Sequence, residues 1–170
     1  EVSEFLEPSA GEGVFSNCTN LVRVTNLTHG NITTLPKMLF YNCSSLKYID
    51  IPGNVRSIGD YAFENCRSLK EVDLDTCTAD INATMFKTCD SLETFYVSYK
   101  NKRYSGGYGL IDKTTKTLVV GSTNGNLGDK IINSNDYPIE TIGDSAYYGR
   151  NITEVILPLT LRSINRSAFA

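Results

Sequence analysis

The sequence lacks the materials from which most site chemistries are built. It holds a single histidine, His29. No nucleophile–base arrangement surrounds it, so acid–base catalysis would have no partners and an exposed loop residue is expected. No two of the five cysteines stand at the CxxC spacing of a zinc site. The glycines of GSTNGNLGDK, residues 121–130, are not closed by the GK[ST] of a phosphate loop. Asn124, Asn126 and Asp129 in the same stretch lack the twelve-residue calcium loop with its closing Glu. A plain Asn/Gly turn is the expectation there. Neither a cofactor nor a metal is expected.

Positive charge is also short. A net charge of −3 gives no basic footprint, which argues against nucleic acid and against an anionic membrane surface. No apolar run approaches the ~18 residues of a bilayer span, and no charged-then-apolar leader is visible. Membrane insertion by this segment is therefore not expected. The chain opens at Glu1 and stops at SAFA, where a repeat should continue. The expectation is a trimmed fragment of a longer protein, with any targeting signal outside it.

What the chain does contain is itself, repeated. VFSNCTNLVRVTN (14–26), LFYNCSSLKYIDI (39–51), AFENCRSLKEVDL (62–74) and MFKTCDSLETFYV (85–97) follow one another. Phe15, Phe40, Phe63 and Phe86 are 25, 23 and 23 residues apart. Cys18, Cys43, Cys66 and Cys89 keep the same steps, as do Leu21, Leu46, Leu69 and Leu92. A period in the twenties is the mark of a solenoid, and division of the length by ~23 gives about seven coils.

Within a coil the apolar period changes. Ala62, Phe63, Cys66 and Leu69 step by three and four, as one face of a short helical turn would. Val72 and Leu74 alternate like a strand, as Ile49 and Ile51 do one coil earlier. Pro52, Gly53 and Asn54 end that strand in a turn, and Val55 and Ile58 point back inward. Asp60 and Asp144 stand where an N-cap is wanted. The residue after the inward isoleucine is Gly59, Asn82, Gly143 and Asn165 in four coils. Gly and Asn most readily take positive φ, so a left-handed bend is expected there. Pro36 cannot bend that way, so its corner should be built differently.

One coil cannot bury its apolar residues against itself, whereas stacked coils bury them against their equivalents, each large side chain contributing ~1.5–3 kcal/mol. The four in-register cysteines are then an internal column of reduced, unreactive thiols. Cys77, half a coil from Cys66, is the one expected outside it. Seven sequons occur, at Asn17, Asn26, Asn31, Asn42, Asn82, Asn151 and Asn165. Asn17 and Asn42 belong to the repeat motif, and Asn82 and Asn165 to the bend position, so structure accounts for four without sugar.

The pattern NCSSLKYIDIPGNVRSIGDYAFENCRSLKEVDL, residues 42–74, closely resembles the BspA-like leucine-rich repeat family. Residues 137–169 return to it through ETIGDSAYYG and EVILPLTLRSINRSAFA, with Tyr147 in place of Phe and Arg150 near the Cys position. YVSYKNKRYSGGYGLIDKTTKTLVVG resembles the longer irregular coil of that family. LID and TLVV read as strands around a KTTK turn, and a hairpin over residues 104–120, outside the regular coil, is expected. The resemblance implies an α/β, right-handed, horseshoe-like leucine-rich-repeat solenoid of short strands and short helical turns. One domain spans 1–170, with regular coils at about 13–97 and 137–170 and an irregular coil at about 98–136. It also implies an extracellular or cell-surface location, adhesion or host-protein binding, and no catalytic residue.

Alternation along each strand names an outward face, because Tyr48 and Asp50 must oppose Ile49 and Ile51. In register with them fall Arg23 and Thr25, Glu71 and Asp73, Thr94 and Tyr96, and on the later regular coil Glu154. This acidic strip edged by two tyrosines is the candidate face for a protein ligand, a host or extracellular-matrix protein among those the resemblance implies. The alternative function is a structural spacer whose coils hold another domain away from the envelope.

Overall fold

The computed structural model describes residues 11–25, 27, 32–123, 138–150 and 152–170. His29, Asn26, Asn31, Asn124, Asn126, Asp129 and Asn151 lie outside them.

The repeating turn comes out of the Phe–Cys–Leu spacing directly. The amide of Cys66 donates to the Phe63 carbonyl at 3.2 Å and that of Leu69 to the Cys66 carbonyl at 3.0 Å, and the same pair of bonds recurs at Phe40–Cys43–Leu46 and Phe86–Cys89–Leu92. The other amides of the turn point along the stack. Met38, Phe40 and Asn42 donate to the carbonyls of Asp60, Ala62 and Glu64 in the next coil. An N–H committed to the next coil cannot close a bond four residues back, so the turns do not become α-helix. Hence, among the described residues, the α part of the expected α/β class shrinks to chained turns and short 3-10 turns such as that at Ala83–Phe86. Asp60 and Asp144 accordingly precede turns, not helices. The side-chain cap of that 3-10 turn is Asn82, whose Oδ1 accepts from the Thr84 amide at 3.0 Å.

Among the described residues, ten short strands carry the rest. β1 (Thr34–Leu35) pairs in parallel with β3 (Ser57–Ile58), on the return side of the coil. β2 (Tyr48–Asp50), β4 (Glu71–Asp75) and β5 (Thr94–Val97) form a three-stranded parallel sheet. β6 (Tyr104–Ser105), β7 (Gly109–Asp112) and β8 (Thr117–Gly121) are antiparallel neighbours. β9 (Thr141–Ile142) then joins β8 in parallel, and β10 (Ser163–Ile164) joins β9. The expected hairpin is therefore present, but not outside the coil. β7 is buried along its whole length, and β8 serves as the rung on which the following coil stacks. The solenoid has about five turns, fewer than the expected seven or so.

The core is a set of columns. Phe15, Phe40, Phe63 and Phe86 stack face to face with centroids 5.6, 5.8 and 5.3 Å apart, and Phe95 closes the column edge-on at 5.6 Å. Offset stacking is favourable beyond the area it buries. Beside them the thiols of Cys43, Cys66 and Cys89 donate to the carbonyls of Phe15, Phe40 and Phe63 at 3.0, 3.2 and 3.1 Å. A cysteine here is both a small apolar filler and a weak donor. Burial pushes the Cys43 thiol up to about 11 and the Cys89 thiol up to about 12, and raises Cys66 further still.

The membership of the column differs from expectation at both ends. Cys18 is exposed, since only one described coil flanks it, whereas Cys77 is fully buried with its thiol 3.7 Å from the Val55 carbonyl. Past Cys89 the position is taken by Arg150, buried, whose guanidinium donates to the Cys89 carbonyl. A separate pair, Tyr147 and Phe169, stacks at 5.1 Å, and the Tyr147 ring lies against Gly121, where a Cβ would sit 2.2 Å from it.

The left-handed bend also moves. Gly59, Gly143, Asn82 and Asn165 do not have positive φ; Met38, Tyr61, Ser145 and Ser167 do, two residues past the corner. Pro36's coil thus bends at Met38 as the next bends at Tyr61, with φ 57° and 59°, so its corner is not built differently. Gly59 is required by close approach instead: a Cβ there would sit 2.3 Å from the Lys37 amide nitrogen. Asn17, Asn42 and Asn65 take positive φ (62°, 59° and 66°), and Asn42 Nδ2 donates to Asn17 Oδ1 at 2.9 Å. Two sequon asparagines thus have backbone and side-chain roles of their own.

Candidate binding face

The parallel ladder turns the outward residues into two rows. Tyr48 stands opposite Glu71 and Glu71 opposite Thr94; one residue pair on, Asp50 stands opposite Asp73 and Asp73 opposite Tyr96. A further bridge sets Arg23 beside Tyr48, with the guanidinium 5.9 Å from the ring centroid. The rows exist because Ile49, Val72 and Phe95 are buried behind them, which leaves every flanking position outward. Thr25 joins Asp50 at the Arg23 end, where both line a cavity of about 230 Å³.

Eight of the nine residues named from sequence are thus together, and Glu154 is not. Among the described residues β5 receives no further parallel strand: Phe95 pairs antiparallel with Gly107, which ends the face before Glu154's coil. Sequence reasoning also missed Asp75. A register shift between Asp73 and Asp75, with Asp75 at φ 40° and its amide on Asp73 Oδ1 at 2.9 Å, adds a fourth carboxylate to the strip. The regular alternation of EVDLD carries no hint of that bulge.

The strip is electrostatically uncompensated. Among the described residues, none of the ion pairs involves Asp50, Glu71, Asp73 or Asp75. Partial burial, reinforced by Asp73 and Asp75, holds the Asp50 carboxyl above its ordinary range. Burial and the surrounding carboxylates likewise raise the Tyr48 phenol, with Arg23 opposing. Like charges in adjacent rungs, ~4.8 Å apart, cost stability unless something positive meets them. No group of three or more candidate metal ligands occurs among the described residues. No described helix is long and apolar enough to cross a membrane.

A contrasting charge cluster serves the fold. Arg103 bridges Asp112 at 3.0 Å and Asp80 at 2.6 Å, lies 4.9 Å from the Tyr104 ring centroid and donates to the Thr78 carbonyl. Asn101 donates to the carbonyls of Asp75 and Cys77. These contacts clamp the hairpin onto the loop after β4.

Among known proteins, the model of the BspA type leucine rich repeat region matches six copies over residues 8–108 and 140–170. A leucine-rich repeat protein from Eubacterium ventriosum ATCC 27560, solved by crystallography at 2.50 Å, aligns with 81% of this chain at 16% identity and a TM-score of 0.45. The chain spans 48% of that protein's length. No curated protein matches. With three quarters of its residues in matched repeats and the Phe, Cys and Leu columns those repeats build, the chain belongs to the BspA type leucine-rich repeat family.

Proposed function

We propose that this chain is a non-enzymatic protein-binding module of a cell-surface or secreted protein, with adhesion as its use, and that its ligand docks on the outward face of β2, β4 and β5. The observation that carries the proposal is the uncompensated strip of Asp50, Glu71, Asp73 and Asp75, edged by Tyr48 and Tyr96 on rigid, mutually paired strands. Repeat families of this kind supply protein-interaction scaffolds. Tyrosine is enriched among residues that anchor interfaces, and Tyr96, 47% exposed, projects where a partner would meet it. The complement of the strip is a basic protein surface.

The test is a panel of purified secreted and matrix proteins of graded charge, presented to the immobilised chain. Basic members should be retained, with retention falling as ionic strength rises past the physiological value, where the screening length is ~8 Å. The folded double variant Tyr48→Ala with Asp73→Lys should lose them. Retention indifferent to charge, or to the double substitution, would move the site elsewhere. Retention of nothing would favour the spacer.

A further inference from the structure

The end of the face nearest Arg23 differs from the rest. There the strip stops being acidic and opens into a cavity of about 230 Å³, lined by Arg23, Thr25, Tyr48 and Asp50 over an apolar floor of Val24 and Leu27. Arg23 and Asp50 stand diagonally across the two rows, on adjacent rungs. Both are free of ion pairs among the described residues. Arg23 leans on the Tyr48 ring rather than on a carboxylate. A cation and an anion that face one cavity without neutralising each other are jointly available to a ligand that carries both signs.

The spacing says which ligand. Strand rungs are ~4.8 Å apart, so along the stack the midpoint between Asp50 and Asp73 lies about one and a half rungs, ~7 Å, from the Arg23 rung, and it is offset sideways by one row, a gap that the long side chains of Arg23 and of the ligand's charged residues span. Side chains on one face of an extended peptide recur every second residue, ~6.7 Å apart. We infer that the face reads charge order. It takes an extended protein segment with an acidic side chain seated on Arg23 and, two residues away, a basic side chain set between Asp50 and Asp73. A second basic residue two positions further continues towards Asp73 and Tyr96. The apolar floor and the Tyr48 ring receive the methylene stem of the acidic residue. A uniformly basic segment satisfies the strip but sets its first charge against Arg23, so Arg23 is a specificity-determining residue. This inference rests on the docking face proposed above.

The experiment uses an array of blocked five-residue peptides, Xaa-Ser-Xaa-Ser-Xaa, with Glu or Lys at each Xaa in all combinations, probed with the labelled chain at low salt. Glu-Ser-Lys-Ser-Lys, or the same order reversed, should be retained about three- to tenfold better than Lys-Ser-Lys-Ser-Lys, the range an exposed charge contact turned from repulsive to attractive provides. Arg23→Glu should invert that preference, and Arg23→Gln should abolish it while leaving both peptides bound. Arg23 is exposed, so the fold should survive, and circular dichroism checks it. An unaltered preference in both variants overturns the charge-order inference. If Asp73→Lys still removes all binding, the docking face stands without it. If Asp73→Lys also changes nothing, or the unsubstituted chain retains no peptide above background, the inference falls. Insensitivity to Asp73→Lys takes the docking face down as well.

Discussion

At the scale of single residues, inward positions were legible in the sequence and the reasons for special residues were not. The three-residue steps of Phe, Cys and Leu identify the buried columns, since Phe63, Cys66 and Leu69 all have no exposed surface. Gly59 shows the limit: glycine suits a left-handed bend and a close approach equally, and only the coil below, with its Lys37 amide 2.3 Å from a would-be Cβ, decides between them. Cys18 and Cys77 exchange roles for a similar reason, because burial depends on which coil lies next to a residue and not on its phase in the repeat. Titration of the native chain with a thiol reagent should therefore modify Cys18 alone, and all five cysteines after denaturant. Rapid native modification of Cys66 or Cys89, whose thiols burial keeps protonated at neutral pH, would contradict the column. Asp50 gives a second test. Its pKa is raised on folding, so the native state holds the proton more tightly, and stability falls as pH rises through that pKa. Asp50→Asn should raise the melting temperature at pH 7, and the gain should vanish when pH drops below the ordinary carboxylate range. A loss of stability at pH 7 would show that Asp50 has a compensating partner.

At the scale of elements, strands were readable where alternation is regular and their company was not. LID and TLVV read as a hairpin, yet its burial depends on the clamp of Asn101, Arg103 and Tyr104, whose partners at Cys77, Asp80 and Ala79 lie some two dozen residues away. The turn at its tip is set by Asp112, whose Oδ1 accepts from the Thr114 amide at 2.9 Å and its hydroxyl at 2.5 Å. Burial acts to raise the Asp112 carboxyl, but the bonds from Thr114, Arg103 and Thr115 outweigh it and hold the group below its ordinary pKa. A depressed pKa contributes stability that is present above the unfolded value and lost as pH falls through the folded one. Asp112→Asn keeps an acceptor for the turn and deletes the charge facing Arg103. It should cost about 1–3 kcal/mol at pH 7, the range for charge-assisted hydrogen bonds, with the deficit shrinking in acid. A pH-independent deficit would mean that the turn, not the ion pair, is what Asp112 provides.

At the scale of the whole molecule, the repeat period announces a solenoid and the family confirms it, while the antiparallel pairing of Phe95 with Gly107 ends the outward face short of Glu154. What remains is a grid of side chains from Arg23 to Tyr96 whose spacing is set by backbone pairing before any ligand arrives. Pre-set spacing lowers the ordering cost of association, which is why the charge pattern of this grid, rather than its area, should govern what binds. The most direct measurement is an amide chemical-shift map of the isotopically labelled chain during titration with Glu-Ser-Lys-Ser-Lys or with a basic protein retained by the panel. The largest shifts should fall on β2, β4, β5 and the bridge at Arg23, and should disappear together as salt is raised. Shifts centred instead on Gly109–Gly121 or on the coils from Thr141 to Phe169 would contradict the assignment of binding to this face.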